Sequence, residues 1–455
     1  MGMHIKEDGS PAYTEDFAAH ISKTSFEDLS PETIHAAKRG VLDWLGCALI
    51  GSQHSTPDIL IDTLKEDSTD HQSIVLGRNT SLTYLNAAMV NGQMGHLLDF
   101  DDTHMGGVVL HASSPTLAAI FSEAQRQPSC GKDFLLAYVC GFEAGVRVGQ
   151  SSPSHHAGGW HLTGTLGHFS AAVAVAKLLG LNPNQITHAM GIAGTQASGM
   201  QQNRGTMCKS LHAGKAAANG ILSARLAMRG FNSSVEIIEG KRGFSRIYSS
   251  TSAPERMTTD LGVTWEITRN GFKPYACGVV LHPAIDALIA LRQLQNWDQD
   301  GIDAIEAIEV KVNPLVVSIT GTQNPSSGLH AKFSIYHSIA VAFIDGKAGI
   351  EQYSDHKVLD PKVENLRKKI TVMVDESLQR DQAFACIKTK AGKKEVFIEH
   401  ANGTVDHPMS DQDLIEKFLA NASPVIGSEN AEQAQKMIWA IEHQLDVSKL
   451  LLLCK

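Results

Sequence analysis

Four polar segments carry residue types that can hold an anion and move a proton. The first, LLDFDDTH at 97–104, lies where a long helical pattern stops, and Gly106, Gly107 and LHASSP at 110–115 follow it. A helix end that feeds a glycine-bearing loop is a rigid place from which side chains reach a ligand. Asp99, Asp101, Asp102 and His104 also form a candidate set of hard ligands for magnesium or calcium, and capping of the helix end by Asp and Thr is the plain structural alternative. The second segment, HHAGGWHLTGTLGH at 155–168, puts His161 in a run of small residues that lets a ligand approach the backbone; its histidines lack the one-turn pairing of a zinc helix.

The third segment, NRGTMCKSLHAGKAAANG at 203–220, brings Arg204, Lys209, His212 and Lys215 to the start of a helix. Cations beside free helix amides make an anion site, with Arg suited to bidentate carboxylate binding and Lys to a point charge; solvated surface charge is the bland reading. The fourth, GFKPYACGVVLHP at 271–283, falls where the composition changes, so Lys273, Tyr275 and His282 are placed to reach a cleft between two domains. Histidines and lysines from both sides of such a cleft would close over a polyanion and exclude water.

The elements that must position these residues are mostly helices. Ser30 and Pro31 read as a cap and first turn, Ile34, Ala37, Val41, Leu42, Leu45 and Ala48 as one apolar face, and Gly51 as the stop. Similar periodicity predicts helices over 82–98, 115–125, 132–149, 167–179, 183–200 and 211–229. After Trp265 alternating runs predict strands at 307–312, 370–374, 383–390 and 395–400, the last two joined by a hairpin at Ala391, Gly392 and Lys393, with helices at 281–294 and 329–344. Helical periodicity returns at 411–420, 431–444 and 447–453. The expected fold is mainly α: a large all-helical domain from residues 1–265 and 408–455, with a smaller α+β module, 266–407, inserted.

Composition narrows the class. With 43% hydrophobic and 19% charged residues the 455-residue chain is globular rather than disordered or fibrous. A net charge of -9 with no Lys/Arg block argues against a nucleic-acid partner. The opening residues carry no apolar signal core and no stretch approaches a membrane span, so a cytoplasmic protein is expected. Seven widely spaced cysteines with no C-x-x-C pair give no sign of a zinc, redox or iron–sulfur site.

Taken together, RGVLDWLGCALIG, LLDFDDTH with LHASSP, the GWH and GTLGH stretch, MCKSLHAGKAAANG followed by ARLAMRGF and RGF, KPYACGVVLHP, and KFSIYHSIA at 332–340 make the chain resemble the MmgE/PrpD family over nearly its whole length. That family includes 2-methylcitrate dehydratases, cis-aconitate decarboxylases and an iminodisuccinate epimerase. The resemblance implies that the inserted module is a lid, and that the enzyme is a homodimer acting on a small polycarboxylate without metal or organic cofactor. It places the decarboxylase site on Asp99, Thr103, His111, His161, Lys209 and Lys273.

In that reading His111 and His161 exchange protons, Asp99 orients or charges one of them, and Lys209, Lys273 and Arg204 clamp carboxylates. Thr103, His104, His212, Tyr275 and His282 complete the expected substrate contacts. The lid tyrosine of animal-type decarboxylases falls on Val317 here, and the GGWH flank is closer to fungal and bacterial members. The expected activity is a lyase, by default 2-methylcitrate-like dehydration or else cis-aconitate decarboxylation. An epimerase at a carbon alpha to a carboxylate and a non-catalytic carboxylate-binding protein are the alternatives.

Overall fold

The computed structural model describes residues 11–66, 72–294, 297 and 299–455. Among the described residues the main helices of the first part are α1 (Tyr13–Lys23), α2 (Pro31–Gly51), α3 (Thr56–Lys65), α4 (Tyr84–Leu97), α5 (Ser113–Arg126), α6 (Gly131–Gln150), α7 (Leu162–Leu178), α8 (Pro183–Gly194) and α9 (Met207–Met228). Their starts obey local chemistry. The Ser30 hydroxyl accepts from the Thr33 amide ahead of Pro31, Thr83 does the same for Asn86, and Asn182 and Gln185 cap one another reciprocally. Helix α7 is apolar nearly all round and every residue from Leu162 to Ala176 is buried, because it packs between α6 and α9 with α5 and α8 against it.

Several helix bounds differ from the periodicity, the C-terminal helices Asp411–Ile426 and Ser428–Trp439 among them. Helix α8 stops at Gly194 instead of running to Met200, because the following backbone is claimed elsewhere: Met200 bridges to Trp160 and the His161 amide donates to the Gly199 carbonyl. Helices α7 and α9 begin earlier than predicted, in small or polar residues that the apolar pattern passes over. The predicted helix over 329–344 is broken in two, Gly328–Ala331 and Ile335–Asp345, with Ser334 capping the second.

Two-residue strands β1 (Ser73–Ile74) and β2 (Ser81–Leu82) pair beside α4 and α5, and β3 (Thr103–His104) pairs with β4 (Asn270–Gly271). The later sheet is β5 (Ile305–Val312), β6 (Ile370–Val374), β7 (Ala383–Thr389) and β8 (Gly392–Ile398), in the order β6-β5-β7-β8, with β5 and β6 parallel and the rest antiparallel. The β7–β8 turn is tighter than expected, since Thr389 pairs with Gly392 and leaves Lys390 and Ala391 as the corner. Helix His282–Gln293 lies on β7, β8 and helix Ile335–Asp345.

The buried side chains form two clusters. One joins α1–α9 to the C-terminal helices Asp411–Ile426 and Ser428–Trp439, the former packed on α2. The other fills the sheet and its helices but also takes in Cys47, Leu97, Leu98 and Phe100. The segment after α4 thus sits at the seam of the two cores. No helix among the described residues is long and apolar enough to cross a membrane.

Candidate active site

The loop after α4 is held from several sides. Asp99 has φ +52, a left-handed conformation that costs a non-glycine residue energy and that Asp tolerates better than most. It turns the chain so that the Asp99 carbonyl and carboxylate face the same way, toward Lys273. Downstream, Lys417 of helix Asp411–Ile426 donates to the Phe100 carbonyl at 2.7 Å and the Asp43 carboxylate at 2.6 Å. Asp102 accepts from the Ser113 hydroxyl and the Asn270 amide; burial, then the Asp43 carboxylate, pushes its pKa well up.

At the centre is Asp99. Lys273 Nζ donates to its Oδ1 at 2.8 Å and to its carbonyl at 3.0 Å, and Lys209 Nζ lies 3.2 Å from the same Oδ1. Burial alone would raise the Asp99 carboxyl, but the ammonium groups of Lys209 and Lys273 outweigh it and hold the pKa well below the usual range. Burial lowers that of Lys209. Lys209 reaches this point because α4 and α9 cross in close contact: a Cβ on Gly92 would lie 3.0 Å from the Gly214 Cα, and one on Gly214 would overlap the Met89 carbonyl. One turn beyond that crossing, His96 Nε2 and Lys209 Nζ are 3.2 Å apart.

His111 is oriented by the loop it faces. Its Nδ1 is 2.8 Å from the Asp102 carbonyl, 3.2 Å from Thr103 Oγ1 and 3.4 Å from Asp101 Oδ1. A carbonyl can only accept, so Nδ1 carries a proton, and Nε2 lies 3.9 Å from Asp99 Oδ1. His161 Nδ1 shares a hydrogen bond of 2.8 Å with His212 Nδ1. Burial first, then Lys209, holds the His161 pKa well below its ordinary value, so the ring is neutral near pH 7.

Asp99, Thr103, His111, His161, Arg204, Lys209 and Lys273 line one cavity of about 940 Å³. Val279, Val280, Leu315, Ile319 and Phe333 add apolar lining, and the Phe333 ring centroid is 5.5 Å from Lys209 Nζ. Arg204 Nη2 donates to Gln201 Oε1 at 2.7 Å and lies 3.4 Å from His156 Nε2, a further lining histidine. Val317 packs on the second hydrophobic cluster, and its neighbours one turn apart, Leu315 and Ile319, face the cavity instead.

Other expected contacts are occupied differently. His104 borders the cavity, but its Nδ1 is bound to the Val108 carbonyl at 2.9 Å and its Nε2 to Glu266 at 3.0 Å, so the ring pins loop to loop. The Tyr275 hydroxyl donates to Asp286 at 2.5 Å, and His282 is buried beside that ring; neither lines the cavity. His212 acts behind His161, and Lys215 is exposed. Sequence reasoning passed over His96, a lone histidine buried in an apolar helix.

The four-residue cation set of the first segment does not converge: Asp99 faces lysines, Asp101 faces His96, Asp102 faces Ser113 and Asn270, and His104 faces Glu266. His96, Asp101 and His111 do bring one ligand atom each within 4.8 Å of one another, as do Asp381, His400 and Asp406. In the first group the His96 and Asp101 atoms already bond each other at 2.9 Å, and an ammonium stands beside the ring. That arrangement is a hydrogen-bonded network with its own cations.

A mainly helical fold with a buried His/Asp/Lys cluster on a cavity wall defines a class of acid–base site suited to anions. The chain matches the MmgE/PrpD N-terminal domain over residues 15–257 and the MmgE/PrpD C-terminal domain over 275–443. It belongs to the MmgE/PrpD family and is an enzyme of that family's lyase type. It is 27% identical to a cis-aconitate decarboxylase-like protein of Aspergillus oryzae, covering 97% of this chain and 96% of that one. It is also 27% identical to the human cis-aconitate decarboxylase, over 97% and 94% of the two chains. A 2-methylcitrate dehydratase of Cupriavidus necator is 23% identical over 88% and 87%.

Proposed function

We propose that this enzyme is a lyase for a small di- or tricarboxylate, working by histidine and lysine chemistry without a metal or organic cofactor. The observation that carries the reading is the His111 imidazole on the cavity wall, oriented through Nδ1 by the Asp102 carbonyl, beside two lysines that share Asp99. Lys209, Lys273 and Arg204 bind substrate carboxylates, and the two lysines stabilise the negative charge that builds on the carbon next to them. In dehydration, His111 takes the proton from that carbon, the C–H electron pair forms the alkene, and the hydroxyl leaves as water with the proton that the His111 imidazolium gives back. In decarboxylation the carbon–carbon electron pair stays on the substrate as CO2 leaves, and a protonated His111 delivers its proton to the carbanion.

The names of the relatives support decarboxylation at least as strongly as dehydration, which is the default on family grounds. The epimerase alternative keeps one specific support: two imidazoles, His111 and His161, line the same cavity and both rings flank His96. Proton NMR of the purified protein with 2-methylcitrate, cis-aconitate and iminodisuccinate in heavy water separates the three. A lyase gives an alkene product, or CO2 with deuterium in the product; deuterium in recovered substrate with neither rejects the lyase, and binding without turnover favours a carboxylate-binding protein.

The 266–407 module is read as a lid inserted into the helical domain, since it contributes Leu315, Ile319 and Phe333 to the cavity wall. A homodimer and a cytoplasmic location belong to the same proposal, tested by sedimentation velocity and by cell fractionation.

A further inference from the structure

His96 is absent from the cavity wall, yet it touches the groups that form it. Its ring centroid lies 4.6 Å from that of His111 and 5.3 Å from that of His161, over which it stacks. Its Nδ1 is 2.9 Å from Asp101 Oδ2, and its Nε2 is 3.2 Å from Lys209 Nζ. An ammonium has three donors and no acceptor, so the contact with Lys209 requires an unprotonated Nε2. The ring proton then sits on Nδ1 and is donated to Asp101, whose carboxylate also accepts from the Ser114 hydroxyl at 2.9 Å. The neutral state is the one burial favours, since it holds the His96 pKa down to about 4.

We propose that His96, oriented by Asp101, is a positioning residue for Lys209. Its Nε2 accepts one ammonium N–H, Asp99 Oδ1 accepts a second, and the third is left for a substrate carboxylate in the cavity. The catalytic consequence rests on the lyase reading, whereas the contact itself does not. Lys209 is faced by Asp99, Lys273, Asp101, His96, His161 and the Phe333 ring, whose centroid is 5.5 Å from Nζ. His96 is faced by Asp101, Lys209, His111, His161 and Asp99. Of these, only His96 Nε2 and Asp99 Oδ1 are hydrogen-bond acceptors within 3.2 Å of Nζ among the described contacts.

Two substitutions divide the two ends of the ring. His96→Asn keeps a donor for Asp101 and loses the acceptor for Lys209, while His96→Gln carries an amide oxygen out toward the place of Nε2. Competitive acetylation followed by mass spectrometry reads the titration of Lys209 directly. A hydrogen bond to the charged form favours that form, so the Lys209 pKa is expected to fall by about one pH unit in His96→Asn and to recover in His96→Gln. On whichever acid the enzyme turns over, kcat is expected to fall about 10- to 100-fold in His96→Asn, with KM changed less than about threefold and most of the rate restored in His96→Gln.

If His96→Asn does not fold, His96→Leu serves in its place, since it keeps most of the volume, changes no charge near Lys209 and loses the acceptor, and is expected to lower the Lys209 titration in the same way. A Lys209 titration identical to wild type in the folded variants overturns the proposal. Failure of the wild type to turn over any polycarboxylate sinks the lyase reading instead, and the lysine titration still decides this one.

Discussion

Lys273 Nζ holds Asp99 twice, at the carbonyl and at the carboxylate, and in doing so locks a residue with φ +52 at the centre of the site. Lys209 shares the same carboxylate, so a single buried anion organises two cations. Removing one member of a buried ion pair costs about 3–5 kcal/mol because the other charge is left unpaired. Asp99→Asn tolerates the left-handed backbone but leaves Lys209 and Lys273 facing each other. It is expected to lower thermal stability markedly and turnover by at least ~100-fold; a melting temperature and kcat near wild type would show that Asp99 does not organise the lysines.

Arg204 also lines the cavity, hydrogen-bonded to Gln201 and close to His156. A cation that binds ground state and transition state alike changes KM and leaves kcat alone. Arg204→Ala is therefore expected to raise KM about 10-fold with kcat within about threefold, while Lys209→Ala loses kcat. Steady-state kinetics that reverse the two patterns would exchange the roles.

Acid should unfold this protein through its histidines. Burial holds His96 and His212 to about 4 and His282 to about 3, against an ordinary 6.5. These groups are neutral when folded and take up protons when unfolded, so stability is full above pH 6.5 and is lost as pH falls toward 4. Each fully buried imidazole of this kind gives up about 2 kcal/mol between pH 6.5 and 5. Asp102, raised by burial and Asp43, takes its proton first in the folded state and opposes the fall, but the depressed histidines outnumber it. Calorimetry at pH 7 and pH 5 should show a lower melting temperature at pH 5; an unchanged or higher one would mean that the rings are not buried neutral.

Much of this fold is written in local pattern, as at Ser30, Pro31 and Gly51, where cap, first turn and stop all stand where expected. The misplaced end of α8 has a different origin. Ala193 and Ala197 keep the helical period, and only the distant backbone at Trp160 and His161 draws the chain away. The same limit applies to side chains. His104, Tyr275 and His282 have the right chemistry in the right segments, but which way each faces depends on Glu266, Asp286 and the packing of other segments. His96 was hidden for the converse reason, since nothing local distinguishes a histidine buried for packing from one whose partner, Lys209, lies 113 residues away.

The central claim is that His111 moves the proton while the lysines hold the substrate. Its most direct test compares wild type with His111→Ala on whichever polycarboxylate the wild type turns over, with substrate affinity measured by calorimetry on the same samples. Loss of the imidazole is expected to lower kcat by at least ~100-fold, with folding intact and binding within about threefold. Near-normal turnover in that variant would remove His111 from the chemistry and contradict the account.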